Sequence, residues 1–369
     1  MHFARALTPR TLAGMNDTSH ATIDALENAL LIATDRVRPD WLLLGGGVDS
    51  ALLAALWTHH GHPFRAITVG RDANLTCVPA HQFLPYTCGS DLEWSGKVAE
   101  HLQLVWTPIA LGQREAMRYL DLLVVSQQSF DLGQLNNIAL ITALDKAAEY
   151  HDRTSFASGD DGDGLFGGYL NAATHEDWGT WIAERIPHIN PPVRAIGNAM
   201  NWRPMFPYLE PEVLEVAKSL LQSDVRQSVP VSELSLPPSF MDQFDLGAFG
   251  ASERVWGKVV LRKVAERYLP HELAWRPKTD LQFGSGMCAL EHPLATLLNT
   301  GHRMKIEQTG MTFFNEAHRG LYSRFLSLGT AIPPVRDGEY ACPNCGGGIP
   351  IGKNHCHTCG HWEARVADT

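Results

Sequence analysis

The chain has 369 residues, 44% of them hydrophobic, and its 40 acidic residues outnumber its 30 basic residues to give a formal net charge of −10. This length suits two domains or one large domain with an appendage, and the acidic balance argues against a general nucleic-acid binder while leaving room for a local basic groove. No apolar run reaches the length of a membrane span and the first residues lack the pattern of a secretion signal, so we expect a cytoplasmic protein with no membrane partner.

Helical and strand-like patterns alternate along the first third of the chain. Residues 20–38 have the apolar periodicity of an amphipathic helix, and residues 41–44 read as a short buried strand that leads into a helix over residues 50–57. A second strand is predicted over residues 64–70, and a helix followed by a third strand over residues 91–111. This alternation predicts an α/β fold with a parallel sheet that binds ligands at the carboxyl ends of its strands.

The sequence GGGVDS, residues 45–50, follows the first predicted strand. Three successive glycines favour neither strand nor helix, and a strand, a glycine loop and a helix in this order can hold a phosphate on backbone N–H groups. Asp49 beside bound phosphates then requires a cation between them, most often Mg²⁺. The alternative is a tight turn in which Asp49 caps the following helix.

A second loop of this kind, FASGDDGDGLFGGY, occupies residues 156–169 after a helical run over residues 136–150. It contains Asp160, Asp161 and Asp163 among five glycines. Two acid-and-glycine loops can face each other across one site, which predicts that Asp49 and Asp163 share one Mg²⁺ on a triphosphate. An EF-hand calcium loop does not fit, because its ligand spacing and closing glutamate are absent.

Four motifs in order resemble the synthetase domain of asparagine synthetases, a family of N-type ATP pyrophosphatases. GGGVDS resembles the SGGxDS pyrophosphate loop, and SGDDGDGLFGGY resembles SGEGADELFGGY. RPMFPYLEPEVLEVA (203–217) is similar to RxPFLDxxLxxxA, and GKVVLRKVAERYLPHELAWRPKTDLQFG (257–284) to GKxxLRxAxxxxLPxxxxxRPKxGF. The resemblance covers roughly residues 20–300 and implies a parallel-sheet ATP-pyrophosphatase domain, of the adenine nucleotide alpha hydrolase type, with a helical C-terminal part.

The resemblance implies an enzyme that cleaves ATP to AMP and pyrophosphate, activates a carboxylate as an acyl-adenylate and passes it to a nitrogen nucleophile. It assigns Mg²⁺ to Asp49 and Asp163, activation of the attacking amine to Asp160, and contact with pyrophosphate and the activated intermediate to Lys278. The positions implied to hold the nucleotide are Leu44, Val69, Ser158 and Gly159 for adenosine, and Gly45, Gly46, Gly47, Asp49 and Ser50 for pyrophosphate.

Several positions depart from the family pattern. Gly45 replaces the first serine of the loop, Asp160 is one methylene shorter than the usual glutamate, and Gly164 removes the acid that normally follows Asp163. These changes concern the acceptor and the route of proton transfer, and they leave the nucleotide site intact.

The nitrogen source is a second departure, because the chain begins Met1-His2-Phe3 and its first cysteine is Cys77. We therefore do not expect glutamine hydrolysis by an N-terminal cysteine. The nitrogen comes from free ammonia, from a separate glutaminase, or from a substrate amine as in β-lactam synthetases and lasso-peptide cyclases. The carboxylate belongs to a small molecule or to a substrate borne on a carrier protein or peptide.

The last residues carry two CxxC pairs, which the sequence CPNCGGGIPIGKNHCHTCGHWE places ten residues apart. Two thiolate pairs on tight turns supply a tetrahedral set for Zn²⁺, and a segment this short has too little core to fold without a metal. The predicted ligands are Cys342, Cys345, Cys356 and Cys359. Because four thiolates complete the shell, we expect a structural zinc ribbon that recognises a partner or substrate separately from the ATP site; a redox role for the pairs is the alternative.

The predicted domain limits are 1–330 for the synthetase-like domain, 331–340 for a linker with two prolines, and 341–369 for the ribbon. Two other functions remain open. One is a sulfur-transfer enzyme acting on tRNA, since pyrophosphatase-loop proteins of that class also carry zinc ribbons. The other is a non-catalytic scaffold whose ribbon is the working part. The second glycine loop and the lysine segment favour amide formation. The loop over residues 71–90, with Cys77 and Cys88, is either a substrate-facing insertion or an ordinary surface loop.

Overall fold

A computed structural model of the chain describes residues 18–74, 89–150, 155–169, 177–230, 253–279, 281–298, 300–351 and 353–362. Cys77 and Cys88 lie outside these residues, so the interpretation of their loop stays a prediction. Within the described ranges, no helix is both long enough and apolar enough to cross a membrane.

Five parallel strands form the central sheet and confirm the predicted α/β fold. They are β1 (Trp41–Leu43), β2 (Arg65–Arg71), β3 (Val105–Leu111), β4 (Ser155–Ala157) and β5 (Arg203–Met205). Their spatial order is β3-β2-β1-β4-β5, so the chain extends the sheet on one side of β1 and then crosses to the other side. This reversal puts the carboxyl ends of β1 and β4 side by side at a topological switch point, the place where such sheets bind ligands.

Two antiparallel strand pairs lie outside the central sheet. Strand β6 (Arg226–Pro230) pairs with β7 (Glu253–Gly257), and β8 (Glu339–Ala341) pairs with β9 (Gly348–Pro350). Strand β9 lies in the predicted ribbon, and β8 begins in the predicted linker.

Helices cover both faces of the sheet. In the described part of the chain they are α1 (His20–Arg36), α2 (Val48–His59), α3 (Asp91–Leu102), α4 (Gln113–Gln127), α5 (Asn137–Tyr150), α6 (Gly162–Leu165), α7 (Trp178–Arg185), α8 (Pro192–Ala199), α9 (Pro211–Ser219), α10 (Gln222–Val225), α11 (Val259–Ala265), α12 (His271–Ala274), α13 (Leu281–Gly284), α14 (Glu291–Ala295), α15 (Thr300–Gln308) and α16 (Glu316–Ser327). Short 3-10 turns occur at Leu132–Asn136, Ile186–His188, Pro207–Leu209 and Met287–Leu290.

The hydrophobic core divides into two clusters, one on each face of the sheet. Successive side chains of a strand point to opposite faces, so Leu42 and Leu44 belong to one cluster, while Trp41 and Leu43 belong to the other. The first cluster includes α2, which is buried along most of its length. The second includes α5 and the ribbon cysteines. Helix α2 is therefore fixed against the sheet directly after the first glycine loop.

Candidate active site

The first glycine loop joins β1 to α2 in the predicted way. Gly46 has φ +70°, and a Cβ atom there would lie 2.5 Å from the backbone nitrogen of Ser95, so this position requires glycine on both counts. The Gly45 N–H donates to Ser50 Oγ at 3.2 Å, which closes the loop onto the first turn of α2. The residue that caps α2 is Gly47, and it makes no side-chain capping bond. Asp49 is consequently not the helix cap, and the prediction that it caps α2 is wrong.

Arg276 connects the first loop to α3. Its Nη1 donates to the Gly45 carbonyl at 2.9 Å, and its Nη2 lies 2.9 Å from Asp91 Oδ1 in a buried ion pair. The second nitrogen also donates to Ser90 Oγ at 3.0 Å. Because the guanidinium is fixed by α3 and its flanking residue, it sets the position of the loop backbone; Arg276 is a positioning residue.

The second glycine loop follows β4 and packs directly against the first. A Cβ atom at Gly159 would lie 2.9 Å from both the Cβ atom of Asp49 and the backbone nitrogen of Ser50, so a side chain there would separate the two loops. The predicted encounter of the loops therefore occurs, and it occurs at the switch point between β1 and β4.

Asp49 and Asp163 converge on one lysine, Lys258. Its Nζ contacts Asp49 Oδ2 and lies 2.8 Å from Asp163 Oδ1, and its side chain is 5% exposed. Lys278 Nζ donates to the other oxygen of Asp163 at 2.9 Å. Two acids from two loops and two lysines from a third segment thus form one charged cluster, which we call the loop centre.

Lys258 belongs to this centre but is not among the site residues predicted from the sequence. It lies just before α11 with φ +60°, a left-handed conformation uncommon for a lysine, and its N–H donates to the Phe166 carbonyl at 2.9 Å. A signal was present, because Lys258 follows the glycine of the quoted GKVVLRK segment. What the sequence lacked was the distance between that segment and Asp49.

Charge and burial act against each other in the loop centre. Burial alone would raise the pKa of Asp163, but the ammonium groups of Lys258 and Lys278 together hold that pKa well below its ordinary value. Burial raises the pKa of Asp49, and Lys258 offsets this effect only in part. Burial would lower the pKa of Lys278, yet Asp163 keeps it above its usual value. Asp163 is therefore anionic and Lys278 cationic at neutral pH.

The donor set of the loop centre fits a magnesium ion. Asp49 Oδ1 is buried and accepts no hydrogen bond from any described residue, which is costly for a carboxylate oxygen unless a cation or donor joins it. Carboxylate oxygens are the protein ligands that Mg²⁺ prefers beside phosphates. Lys258 and Lys278 supply the positive charge that phosphate oxygens require. The assignment of Mg²⁺ to Asp49 and Asp163 agrees with this set of atoms and stays a prediction.

The residues implied for adenosine lie at the carboxyl ends of three neighbouring strands. Leu44 follows β1, Val69 is within β2, and Ser158 with Gly159 follows β4; Leu44, Val69 and Ser158 are buried. The Leu44 carbonyl accepts a hydrogen bond from Thr68 Oγ1 at 2.5 Å, which ties the first loop to β2. The contacts of these positions with a nucleotide remain a prediction.

Asp160 is placed differently from the other two acids. Ser158 Oγ donates to its Oδ2, and no lysine or arginine of the described chain pairs with it. Burial raises the pKa of Asp160 to about 6, although the hydrogen bond from Ser158 opposes the shift. A carboxylate with such a pKa is mostly ionised at neutral pH and a stronger base than an ordinary aspartate, which suits a group that takes up a proton during a reaction.

The four predicted zinc ligands come together in the ribbon. Their sulfur atoms all lie within 4.8 Å of one another, and the pairs Cys342–Cys359 and Cys345–Cys356 are each separated by 3.7 Å. A Zn–S bond of about 2.3 Å in tetrahedral geometry places two sulfurs about 3.8 Å apart, so the cluster has the dimensions of a zinc site. His355 instead faces Asp131, with Nε2 3.3 Å from Oδ2, in agreement with a four-thiolate shell.

The ribbon packs against the sheet domain. The Phe130 N–H donates to the Thr358 carbonyl at 2.7 Å, and Ser129 Oγ donates to the His357 carbonyl at 2.7 Å. On another side of the ribbon, the Thr312 N–H donates to Asn344 Oδ1 at 2.7 Å. These bonds, and the shared core cluster, fix the ribbon relative to α4 and the sheet. The domain limits predicted from the sequence remain predictions.

Comparison with known proteins places this geometry in a family. The family model described as asparagine synthase matches residues 22–235 and 206–323. The protein of Methanocaldococcus jannaschii named "Putative asparagine synthetase (glutamine-hydrolyzing) 1" is 25% identical over 301 residues, which are 71% of this chain and 48% of that protein. The chain thus spans about half the length of this curated relative.

Among solved structures, that of NMN synthetase from Francisella tularensis aligns with 72% of this chain and 99% of its own chain, at 16% identity and a TM-score of 0.27. That score is too low to carry structural detail from one protein to the other. The family match covers most of the chain, including both glycine loops and the lysine segment. The chain belongs to the asparagine synthase family.

Proposed function

We propose that this protein is an ATP-dependent ligase that joins a carboxylate to a nitrogen nucleophile through an acyl-adenylate. The observation that carries the proposal is the loop centre, where Asp49, Asp163, Lys258 and Lys278 meet at the switch point of the sheet. A parallel sheet binds nucleotides there, and two lysines beside a pair of carboxylates suit a polyphosphate with its metal ion.

The first step forms one bond and breaks one bond. An oxygen of the acceptor carboxylate attacks the α-phosphorus of ATP, and the bond between that phosphorus and the bridging oxygen of the β-phosphate breaks to release pyrophosphate. Lys258 and Lys278 offset the charge that develops on the departing group. When bound, Mg²⁺ would neutralise further phosphate charge. The backbone N–H groups at the start of α2 have no side-chain cap and can donate to phosphate oxygens.

In the second step, ammonia or an amine attacks the carbonyl carbon of the acyl-adenylate, an amide forms, and AMP leaves. The nitrogen loses a proton as the bond forms. Asp160 can accept that proton, because burial raises its pKa to about 6 and the group is therefore mostly ionised at neutral pH. The source of the nitrogen stays a prediction, with ammonia, a separate glutaminase or a substrate amine as the candidates.

Product analysis tests this function. The full chain is incubated with ATP, Mg²⁺, an ammonium salt and one carboxylic acid at a time, and the name of the Methanocaldococcus jannaschii relative makes aspartate the first acid to try. We expect AMP and pyrophosphate in equal amounts together with an amide. The Asp49→Asn variant, which removes one charge from the loop centre, serves as the matched control and should form neither product. ADP and orthophosphate as the only nucleotide products would contradict the proposal.

The match over residues 22–323 also bears on the tRNA sulfur-transfer alternative. It includes the second glycine loop and the lysine segment, which are the features that favour amide formation. The net charge of −10 points in the same direction, since tRNA binding depends on positive charge.

A further inference from the structure

A cavity of about 200 Å³ opens next to Asp160. Its walls include Asp160 and Asp161 from the second loop, Tyr169, Arg185 at the end of α7, and Lys353 from the ribbon. The ribbon is thus part of the wall of a cavity that begins at the proposed proton acceptor. This differs from the expectation that the ribbon acts separately from the ATP site.

Tyr169 connects the cavity to the loop centre. The guanidinium carbon of Arg185 lies 5.8 Å from the centroid of its ring, and Lys278 Nζ lies 5.9 Å from the same centroid. One aromatic ring therefore contacts a cation of the cavity and a cation of the loop centre. A molecule in the cavity would have one end within reach of Asp160 and the other near Arg185.

The two cations of the cavity form no ion pair within the described chain, although the guanidinium of Arg185 lies over the rings of Tyr169 and Trp181. Neither Arg185 nor Lys353 forms an ion pair within 4 Å with a described residue, and Arg185 Nε is buried without a hydrogen-bond acceptor there. Burial lowers the pKa of Lys353, and the charge of Arg185 lowers it further, so the two positive groups face the same space. Both side chains are only partly buried, and an anion between them would offset their mutual repulsion.

Asp161 is the acid nearest to these cations, but it does not pair with either at short distance. It holds φ +66°, a conformation that favours glycine, at a position where the family motif SGEGADELFGGY has glycine. Burial raises the pKa of Asp161, and Arg185 opposes the shift most strongly. Asp161 forms no ion pair within 4 Å with either described cation, so both cations can still contact an anionic group of a ligand in the cavity.

The ribbon holds Lys353 through its backbone. The Lys353 N–H donates to the Pro350 carbonyl at 3.0 Å, and the Lys353 carbonyl accepts a hydrogen bond from the Tyr340 hydroxyl at 2.6 Å. Lys353 also lies three residues before Cys356 in the chain. The folded ribbon therefore determines where the lysine is, and the ribbon's own contacts with Ser129 and Phe130 fix it on the domain.

We infer that the zinc ribbon completes the acceptor site, and that Lys353 together with Arg185 binds an anionic group of the acceptor, a carboxylate or a phosphate, remote from the carboxylate that is activated. This inference rests on the proposed function for the identity of the acceptor site. It assigns the acceptor to molecules with at least two anionic groups, one to be activated near Asp160 and one to be held by the two cations.

Direct binding measurements test the inference without turnover. Succinate and inorganic phosphate are titrated separately by calorimetry into the zinc-loaded full chain in the presence of Mg²⁺ and an ATP analogue with a methylene group between the α- and β-phosphorus atoms, so that the loop centre is occupied and no adenylate forms. Lys353→Gln and Arg185→Gln should each weaken binding of the probe that binds by about tenfold or more, the effect of losing a charged hydrogen-bond donor. Binding of ATP should be unchanged in both variants. Arg336→Gln, which removes an exposed charge from the linker, should leave both affinities as they are.

The two probes distinguish a carboxylate from a phosphate, and the two variants test the cations. Binding of succinate alone assigns a carboxylate to the cavity, and binding of phosphate alone assigns a phosphorylated acceptor. Unchanged affinity in both Lys353→Gln and Arg185→Gln overturns the inference, as does failure of both probes to bind. Because binding is measured and not catalysis, a protein that binds a probe through Lys353 but never yields AMP and pyrophosphate would count against the proposed function alone.

Discussion

Replacement of Lys258 by methionine should strongly destabilise the ligand-free protein. The ammonium group of Lys258 touches carboxylates of both glycine loops and its side chain is 5% exposed, so methionine would leave two buried acids without their common cation. Removal of one partner from a buried ion pair typically costs about 3–5 kcal/mol. We expect a loss of about this size in the free energy of unfolding at neutral pH, moderated by proton uptake at Asp49.

Lys263→Met is the matched control, because Lys263 lies in α11, the helix that begins directly after Lys258, but its Nζ is 3.7 Å from Glu266 in a more exposed pair. Its loss should cost about 1 kcal/mol or less. Urea unfolding followed by circular dichroism measures both changes. Added Mg²⁺ should stabilise Lys258→Met more than the unaltered protein, since the freed carboxylates can then bind the cation; at a hundredfold excess over its dissociation constant, Mg²⁺ restores about 2.7 kcal/mol.

Equal stability of Lys258→Met and Lys263→Met would refute the reasoning, because it would mean that the contacts of Lys258 with the two loops contribute nothing to the free energy of unfolding. If Lys258→Met loses stability but does not respond to Mg²⁺, the conclusion that Lys258 stabilises the two loops stands. The argument that Asp49 and Asp163 form a cation site is then refuted.

Three further predictions concern the acids, Lys278 and the zinc ribbon. Because the folded state binds the Asp160 proton more tightly than the unfolded state, the free energy of unfolding of the unaltered protein should fall by up to about 3 kcal/mol as the pH rises from 4 to 6. Asp160→Asn should not show that loss and should form amide more slowly. Identical pH profiles of unfolding for the two proteins would contradict the assignment. Lys278→Ala should lower kcat by about a hundredfold, whereas Asp163→Asn should abolish activity in a folded protein. Steady-state kinetics measures both effects, and circular dichroism checks the folding; an unchanged kcat in either variant would contradict its prediction. Metal analysis of protein purified without chelator should find one zinc per chain, and a zinc-free protein with an intact ribbon would exclude the metal site.

Much of the central sheet and of the first glycine loop follows from local sequence signals. The predicted strand at residues 41–44 and helix at residues 50–57 correspond to β1 and α2, because an apolar run, three glycines and a second apolar run leave few other arrangements. The meeting of Asp49 with Asp163 was also predictable, since strands of a parallel sheet end at the same edge.

Contacts between distant segments were beyond the reach of such signals. Lys258 enters the loop centre from a segment about two hundred residues after Asp49, and its left-handed backbone has no signature in a lysine. Strand β5 has only three residues, too few for a period to appear. Lys353 reaches the cavity only because the ribbon docks on Ser129 and Phe130, and hydrogen bonds to backbone carbonyls leave almost no trace in the sequence.

The transfer of oxygen from the acceptor to the nucleotide tests the central claim most directly. An acceptor labelled with oxygen-18 in both carboxylate oxygens is converted with ATP and a nitrogen donor, and the phosphorus NMR shifts of the products locate the label. If the loop centre activates the carboxylate by attack on the α-phosphorus, one labelled oxygen appears in AMP for each amide formed and none appears in pyrophosphate. Unlabelled AMP, or label in orthophosphate, would contradict the acyl-adenylate and with it the role assigned to the two loops.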